Sequence, residues 1–147
     1  MKAKDILKVK GSQVITVNEN STLMAATELF FGKKIGSLLV VDDAGEIKGI
    51  LAPNDVLKAV AAGCTENCST QKVHQVMTRD IICAAENDDI DYIQAIMTKN
   101  RVRHIPIMEQ KKLKGIISIG DVVNAMIEVR EVENRYLMDY IEGKYPA

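Results

Sequence analysis

The fold is decided by two similar apolar stretches, IGSLLVV at residues 35–41 and VRHIPIM at residues 102–108. Each stretch is followed by a second short apolar run, at 47–51 after the first and at 113–117 after the second. The offset between the copies is 67 residues at the longer stretch and 66 at the glycine inside the second run. A sequence that repeats with a nearly constant offset predicts two folded units of the same kind.

The residues around these runs extend each copy to a helix, a strand, a helix, two strands and a final helix. Near-continuous apolar strands are typical of sheets that helices cover, so the pattern predicts a mixed α/β (α+β) fold. The other predicted elements are strands at 14–17 and 81–84, a helix over 22–31 capped by Ser21 and closed by Gly32, a helix that starts at Asn87 or Asp88 and ends at Asn100, and a last helix that reaches Ile141. The predicted domains are a first repeat over 1–62, a linker over 63–72, a second repeat over 73–130 and a helical extension over 131–147.

The composition describes a globular chain and excludes several classes of function. Of the 147 residues, 47% are hydrophobic and 27% are charged, which is typical of a folded domain. The net charge of −1 gives no general attraction to nucleic acid or to an anionic membrane, and no apolar run approaches the roughly 20 residues that span a bilayer. Three cysteines are an odd number for a disulfide framework, and no secretory signal starts the chain, so a cytoplasmic protein is predicted.

The tetrapeptide Ser118-Ile-Gly-Asp121 follows a predicted strand and opens the last helix. One interpretation is structural, because a serine caps a helix and an aspartate suits its first turn. The other is functional, because the same helix end offers N–H groups to an anion and the aspartate can accept two hydrogen bonds from a sugar diol. In the first repeat the equivalent residues are Ala52 and Asp55, so the hydroxyl is lost there and the carboxylate is kept.

A basic cluster at the start of the second repeat's longer strand also sets the two repeats apart. Arg103 and His104 lie there, and their equivalents Gly36 and Ser37 carry no charge. Arginine is geometrically suited to phosphate, although alternation along a strand places Arg101 and Arg103 on one face and His104 on the other. Because both distinguishing features occur in the second repeat, we predict one anion site there.

Cys64, Cys68 and His74 raise the alternative of a metal site or a redox pair. The two cysteines are four residues apart and share a face if a helix continues there, but the spacing is not a zinc pattern. No metal site is therefore predicted. Neither of the two histidines lies in a catalytic motif, and no nucleophile is paired with a base, so we predict that the chain is not an enzyme.

The repeat resembles a tandem pair of CBS domains, the Bateman module named after cystathionine β-synthase. The residues that carry the resemblance are ITV at 15–17, IGSLLVVD at 35–42, GIL at 49–51, VMT at 76–78, RHIPI at 103–107 and GIISIGD at 115–121. They cover nearly the whole chain, and the second repeat is the closer match. With no catalytic domain appended, the chain is expected to be similar to the small stand-alone CBS-pair proteins of bacteria.

The resemblance implies a fold, an assembly and a ligand class. The fold is a β-α-β-β-α unit in each repeat, with the two units packed through their sheets with pseudo-two-fold symmetry, and the assembly is a homodimer. The ligand is an adenosyl compound (AMP, ADP, ATP, NAD or S-adenosylmethionine) bound in clefts between the repeats, and no cofactor is required. The residues that the resemblance assigns to this ligand are Ser118 and Asp121 for phosphate and ribose, Arg103 and His104 for phosphate, and Ile82 and Ala84 around the base, with Asp55 as a further candidate for a ribose in the first repeat.

We therefore predict a regulatory module that senses an adenosyl nucleotide and signals to an unknown regulated protein. The alternative is a structural dimer or adaptor whose nucleotide clefts are vestigial. The last helix supports a dimer independently, because it has more apolar positions than one repeat can cover. Neither nucleic acid nor a membrane is expected among the partners.

Overall fold

The computed structural model describes residues 1–63 and 69–143. The helices are α1 (Ala3–Lys10), α2 (Leu23–Lys33), α3 (Pro53–Ala61), α4 (Ile90–Asn100) and α5 (Ile119–Ile141). The strands are β1 (Thr16–Asn18), β2 (Leu38–Val41), β3 (Ile47–Leu51), β4 (His104–Glu109) and β5 (Lys112–Ser118), and a short 3-10 helix covers Val73–Gln75. The mixed α/β fold predicted from the repeat is confirmed.

The chain folds into two compact units whose boundaries differ from those of the sequence repeats. The first-repeat unit is Gln13–Ile82, and the second-repeat unit is Cys83–Ala147 together with Met1–Ser12. Helix α1 therefore belongs to the second-repeat unit, although it lies at the start of the first repeat in the sequence. Residues 73–82, which the predicted boundaries give to the second repeat, belong to the first-repeat unit. The predicted boundaries thus delimit the sequence repeats. In the compact units the first segments are exchanged, because residues 1–12 belong with the second repeat and residues 73–82 belong with the first.

In each unit, the exchanged segment packs against a glycine in a strand. In the second-repeat unit, a Cβ atom added at Gly115 would lie 2.7 Å from Cδ2 of Leu7, which belongs to α1. In the first-repeat unit, a Cβ atom added at Gly49 would lie 2.7 Å from Sδ of Met77. Both glycines are therefore needed because a long apolar side chain packs directly on the strand backbone.

The first-repeat unit contains a three-stranded sheet in the order β1-β2-β3. Strand β2 pairs in parallel with β1 and antiparallel with β3. The residues buried in this unit's core come from the sheet, from α2 and from the exchanged segment, and they are Val17, Leu23, Ala26, Phe30, Leu38, Val40, Leu51, Val73 and Met77. Helix α2 and the exchanged segment therefore pack on one face of this sheet.

Within the described residues, the sheet of the second-repeat unit has two strands, β4 and β5, and the predicted strand at 81–84 is wrong. Of those four residues, only Ala84 forms a bridge to β4. In the first repeat the equivalent pairing includes a 3.3 Å hydrogen bond from the N–H of Leu39 to the carbonyl of Ile15. The equivalent of Leu39 is Pro106, which has no N–H to donate, so the parallel ladder stops at one bridge.

Several helix ends lie one or two residues from their predicted positions. Thr22 caps α2 in place of Ser21, because its hydroxyl accepts a 3.1 Å hydrogen bond from the backbone. Gly32 lies inside α2, and the helix is closed by Lys34 in the left-handed conformation with φ of 53°. Helix α4 follows Asp89, one residue beyond the predicted start.

The hairpins between the antiparallel strands explain the change of offset from 67 to 66. In the first repeat, Asp42 Oδ1 accepts two backbone hydrogen bonds of 2.9 Å, and Gly45 supplies a φ of 83°. In the second repeat, Gln110 and Lys111 form a tighter turn, and both residues have positive φ, 49° and 64°. The two repeats therefore have two turn geometries, with one residue fewer in the second.

Helix α5 ends at Ile141, as predicted, and only its first half packs on the second-repeat unit. Val122 and Ala125 are buried in that half, whereas every side chain from 131 to 138 is exposed. The exposed large apolar side chains of the second half include Val132, Leu137, Met138, Tyr140 and Ile141. Neither α5 nor any other helix in residues 1–63 and 69–143 is long and apolar enough to cross a membrane.

Candidate functional site

The candidate site lies in the second-repeat unit, where β5 ends and α5 begins. Ser118 caps α5, because its Oγ accepts a hydrogen bond from the N–H of Asp121 at 3.2 Å. In return, Asp121 Oδ2 accepts a hydrogen bond from the N–H of Ser118 at 2.8 Å. The structural interpretation of the tetrapeptide as a capping box is therefore correct. Oδ1 of Asp121 takes part in neither of these bonds.

Lys10 also belongs to this site, and sequence reasoning missed it. Its Nζ donates to Asp121 Oδ2 at 2.7 Å and to the carbonyl of Ile116 at 2.7 Å. Lys10 is the last residue of α1, so it reaches the site through the exchange of the first helices. Because the sequence places α1 in the first repeat, no local signal pairs Lys10 with an aspartate of the second.

The charges around Asp121 determine the protonation states of the site. Burial by itself would raise the pKa of the Asp121 carboxyl, but the hydrogen bonds from Lys10 and Ser118 outweigh it and lower that pKa. Burial lowers the pKa of His104, and the charge of Lys10 lowers it further, while the charge of Asp121 acts in the opposite direction. At neutral pH the Asp121 carboxyl is therefore ionised and the His104 imidazole is neutral.

Arg103 and His104 have different surroundings. His104 opens β4 and pairs in register with Ser118, which places it beside the capping box. The Arg103 side chain instead borders a cavity of about 300 Å³, whose lining residues are Met97, Thr98, Arg101, Val102, Arg103 and Ile119. The structure thus brings Ser118, Asp121 and His104 together. It places Arg103 with Arg101 and Val102 along that cavity. The predicted alternation does not apply to the two arginines, because β4 begins only at His104 and Arg101 ends α4 in the left-handed conformation.

The equivalent junction in the first-repeat unit has a simpler set of polar groups. Asp55 Oδ2 accepts a hydrogen bond from the N–H of Ala52 at 2.8 Å, which matches the bond between Asp121 and Ser118. Ala52 has no side-chain oxygen, and Pro53 supplies the first helical residue of α3. The first-repeat junction therefore keeps the carboxylate and lacks both the hydroxyl and the imidazole.

Ile82 and Ala84, which the resemblance places around a base, lie in different units. Ala84 is buried in the second-repeat unit, and its N–H donates to the carbonyl of Pro106 at 3.1 Å. Its own carbonyl accepts a hydrogen bond from the N–H of Met108 at 2.8 Å. Ile82 is half-buried in the first-repeat unit. The contact of either residue with a base stays a prediction.

The thiol and metal alternatives concern Cys64, Cys68 and His74. Cys64 and Cys68 lie outside the described residues. Among residues 1–63 and 69–143, no group of three or more His, Cys, Asp and Glu side chains is placed to hold a metal ion. Cys83 is exposed rather than held in a strand, and its partial desolvation raises the pKa of the thiol, so it is not an activated thiolate.

Comparison with known proteins identifies both repeats. The sequence profile of the CBS domain matches residues 3–62 and 73–128. The crystal structure of the CBS-domain containing protein ATU1752 from Agrobacterium tumefaciens is similar to this chain, with a TM-score of 0.83 and 37% identity over 86% of this chain and 99% of that one. The mitochondrial CBS domain-containing protein CBSX3 of Arabidopsis thaliana is 30% identical over 96% of this chain and 72% of its own length.

A third similar protein has been solved with ligands. The CBS domain pair of protein MJ0100 has a TM-score of 0.74 and 26% identity, over 86% of this chain and 99% of that one. That structure is a complex with 5′-methylthioadenosine and S-adenosyl-L-methionine, so that protein binds adenosyl compounds. The match of both repeats over most of their length shows that the present chain belongs to the CBS-domain family and carries two CBS domains.

Proposed function

We propose that the chain is a regulatory module that binds an adenosyl nucleotide at the β5–α5 junction of the second-repeat unit. The observation that supports this proposal is the difference between two equivalent junctions. The second-repeat junction combines the Ser118 hydroxyl, the Asp121 carboxylate, the Lys10 ammonium group and the His104 imidazole. The first-repeat junction starts its helix with the Asp55 carboxylate and Pro53, without a capping hydroxyl or an imidazole. The additional groups are therefore not needed to start a helix.

These groups suit the two polar parts of an adenosyl nucleotide. Asp121 is ionised, and its Oδ1 can accept hydrogen bonds from a ribose diol while Oδ2 stays in the capping box. At the start of α5, the N–H of Ile119 donates to the carbonyl of Arg103 and that of Asp121 to Ser118. The N–H of Gly120 takes part in neither bond and is the donor that suits a phosphate oxygen. The adenosyl compounds bound by MJ0100 support the same ligand class.

The cations near the junction favour a phosphorylated ligand over adenosine. Lys10 lies within the site, and Arg103 lies close enough for its charge to lower the pKa of His104. His104 itself is neutral at neutral pH and offers a hydrogen bond rather than a charge. We therefore propose AMP, ADP, ATP or NAD ahead of adenosine, with AMP as the first probe.

Calorimetric titration with AMP tests the location of the site. Asp121→Ala should weaken binding by roughly 1.5–3 kcal/mol, as expected for a lost hydrogen bond to a charged group. Asp55→Ala is the matched control, because it removes the same cap interaction from the other unit, and it should leave the affinity for AMP nearly unchanged. If Asp55→Ala abolishes binding and Asp121→Ala does not, the site belongs to the first repeat.

The second candidate function is a structural dimer or adaptor. The exposed apolar side chains on the second half of α5 favour it, since large exposed apolar patches usually mark an interface. We propose that this half contributes to a homodimer, which is compatible with either function. A thermal-shift screen separates the two: a ligand at 100 times its dissociation constant stabilises the fold by about 2.7 kcal/mol. The absence of a shift with AMP, ADP, ATP, NAD and S-adenosylmethionine would favour the adaptor.

The proposed module acts by changing its contacts with a separate protein, and no reaction of its own is part of the proposal. Nucleotide binding at the start of α5 is well placed for this, because the same helix carries the exposed apolar half. The cytoplasmic location predicted from the cysteines stays a prediction, and a relative from Arabidopsis thaliana is mitochondrial by name.

A further inference from the structure

We propose that Lys10 determines which adenosyl ligands the site accepts. Its ammonium group binds the Asp121 carboxylate in the free protein, and a ligand phosphate replaces that carboxylate as its partner. This inference rests on the proposed function and adds a specificity-determining residue to it. Lys10 has no equivalent in the local motif, since it comes from the helix exchanged between the units.

The position of Lys10 is fixed by two short hydrogen bonds. Its Nζ lies 2.7 Å from Asp121 Oδ2 and 2.7 Å from the carbonyl oxygen of Ile116. The Lys10 side chain is 37% exposed and that of Asp121 is 22% exposed, so water and a ligand can both reach the pair. The ammonium group is therefore both bound to the carboxylate and accessible to a ligand.

This change of partner at Lys10 should make the site bind phosphorylated ligands more tightly than uncharged ones. A ribose diol bound at Asp121 Oδ1 draws on the negative charge that holds Lys10 at Oδ2, and without a phosphate the ammonium group gains no anion in return. A phosphorylated nucleoside provides both halves of the exchange, because its diol binds Asp121 while its phosphate binds Lys10. Without the Lys10 charge, the site keeps the negative charge of Asp121, which repels a phosphate.

The first-repeat unit lacks this arrangement. When Leu7 is aligned with Met77, the residues that pack on the two strand glycines, the position that matches Lys10 is Asp80. The exchanged segment of that unit therefore carries the opposite charge there. The selection by Lys10 is thus confined to the second-repeat unit, where the hydroxyl and imidazole also lie.

The test compares AMP with adenosine by calorimetry in the full chain and in Lys10→Met. We expect the affinity for AMP to fall at least tenfold and the affinity for adenosine to stay equal or rise severalfold. Lys8→Met is the matched control, since Lys8 is an exposed lysine of the same helix, and it should change neither affinity. Equal losses for both ligands in Lys10→Met, or no change for either, would overturn the inference while leaving the proposed function intact.

A measurement without ligand tests the geometry on which the inference rests. The charge of Lys10 lowers the pKa of His104, so Lys10→Met should raise that pKa in an NMR titration. His74, the other histidine of the chain, lies in the first-repeat unit and serves as the internal reference. An unchanged His104 pKa would refute the position of Lys10. If the unmodified protein binds neither AMP nor adenosine while the His104 pKa shifts as expected, the proposed function fails and the selection by Lys10 fails with it.

Discussion

The exchange of α1 into the second-repeat unit predicts that Leu7 and Gly115 are energetically coupled. A Cβ atom added at Gly115 would lie 2.7 Å from Cδ2 and 3.3 Å from Cδ1 of Leu7, whose side chain is buried. Gly115→Ala should therefore overpack the contact and destabilise the fold by about 1–3 kcal/mol. Leu7→Ala alone should cost about 2–5 kcal/mol, because it leaves a cavity under the strand.

In the double variant, the new methyl group enters the space that Leu7 leaves. The loss of unfolding free energy should therefore be smaller than the sum of the two single losses, by about 0.5–3 kcal/mol. Urea unfolding followed by far-ultraviolet circular dichroism measures these values, since the chain has no tryptophan for fluorescence.

The control pair combines Leu7→Ala with Gly49→Ala, whose effects should add to within about 0.3–0.5 kcal/mol because the residues lie in different units. Gly49→Ala should itself cost more than Gly115→Ala. Its Cβ atom would lie 2.7 Å from the backbone oxygen of Thr78, which cannot rotate away as a leucine side chain can. Additive losses for Leu7 and Gly115, together with coupling between Leu7 and Gly49, would mean that α1 packs on the first repeat after all.

Three further predictions concern acid stability, assembly and the phosphate. As the pH falls, the free energy of unfolding should decrease first below about pH 6.5 and again below about pH 3.9, because the folded pKa values of His104 and Asp121 both lie under their unfolded values. In urea unfolding at a series of pH values, His104→Gln should remove the first decrease and Asp121→Asn should reduce the second, to which the lowered pKa values of Asp42 and Asp89 also contribute; unchanged profiles would contradict the assignment. Leu137→Glu should convert the proposed dimer to a monomer in light scattering, whereas Val9→Glu, at another exposed apolar position, should not; a monomeric unmodified protein at tens of micromolar would rule out the proposed dimer. Arg103→Leu should reduce the preference for AMP over adenosine and leave adenosine binding nearly unchanged, and high salt should act in the same direction; equal affinities in the unmodified protein would make Arg103 an ordinary solvated residue.

Local patterns predicted the parts of the fold that depend on local interactions. The capping box of Ser118 and Asp121 and the end of α5 at Ile141 both follow from residues within a few positions of each other. The failed strand at 81–84 also had a signal in the sequence, since Pro106 stands where its partner strand must donate an N–H. That signal became readable only with the register of β4 against Ala84.

The remaining features depend on contacts between distant segments. Leu7 is nearer in sequence to Gly49, yet in the structure it packs on Gly115. Both repeats have an equivalent strand glycine, so the sequence pattern does not show which of the two Leu7 contacts. Lys10 follows from that choice and was therefore missed as a site residue. Met126 shows the same limit, because it lies on the helix expected to support a dimer and yet packs against the core of its own unit.

The exchange of first segments also means that a fragment containing one sequence repeat does not contain one complete folded unit. A chain cut after residue 71 keeps α1 but loses Met77, and the remaining piece keeps Met77 but loses Leu7. Each piece therefore carries an apolar side chain that packs on the other piece, and a strand glycine whose own packing partner is missing. Co-expressed from two plasmids, the pieces should complete each other's cores, and each expressed alone is left with an apolar side chain that can be buried only by pairing with a second chain.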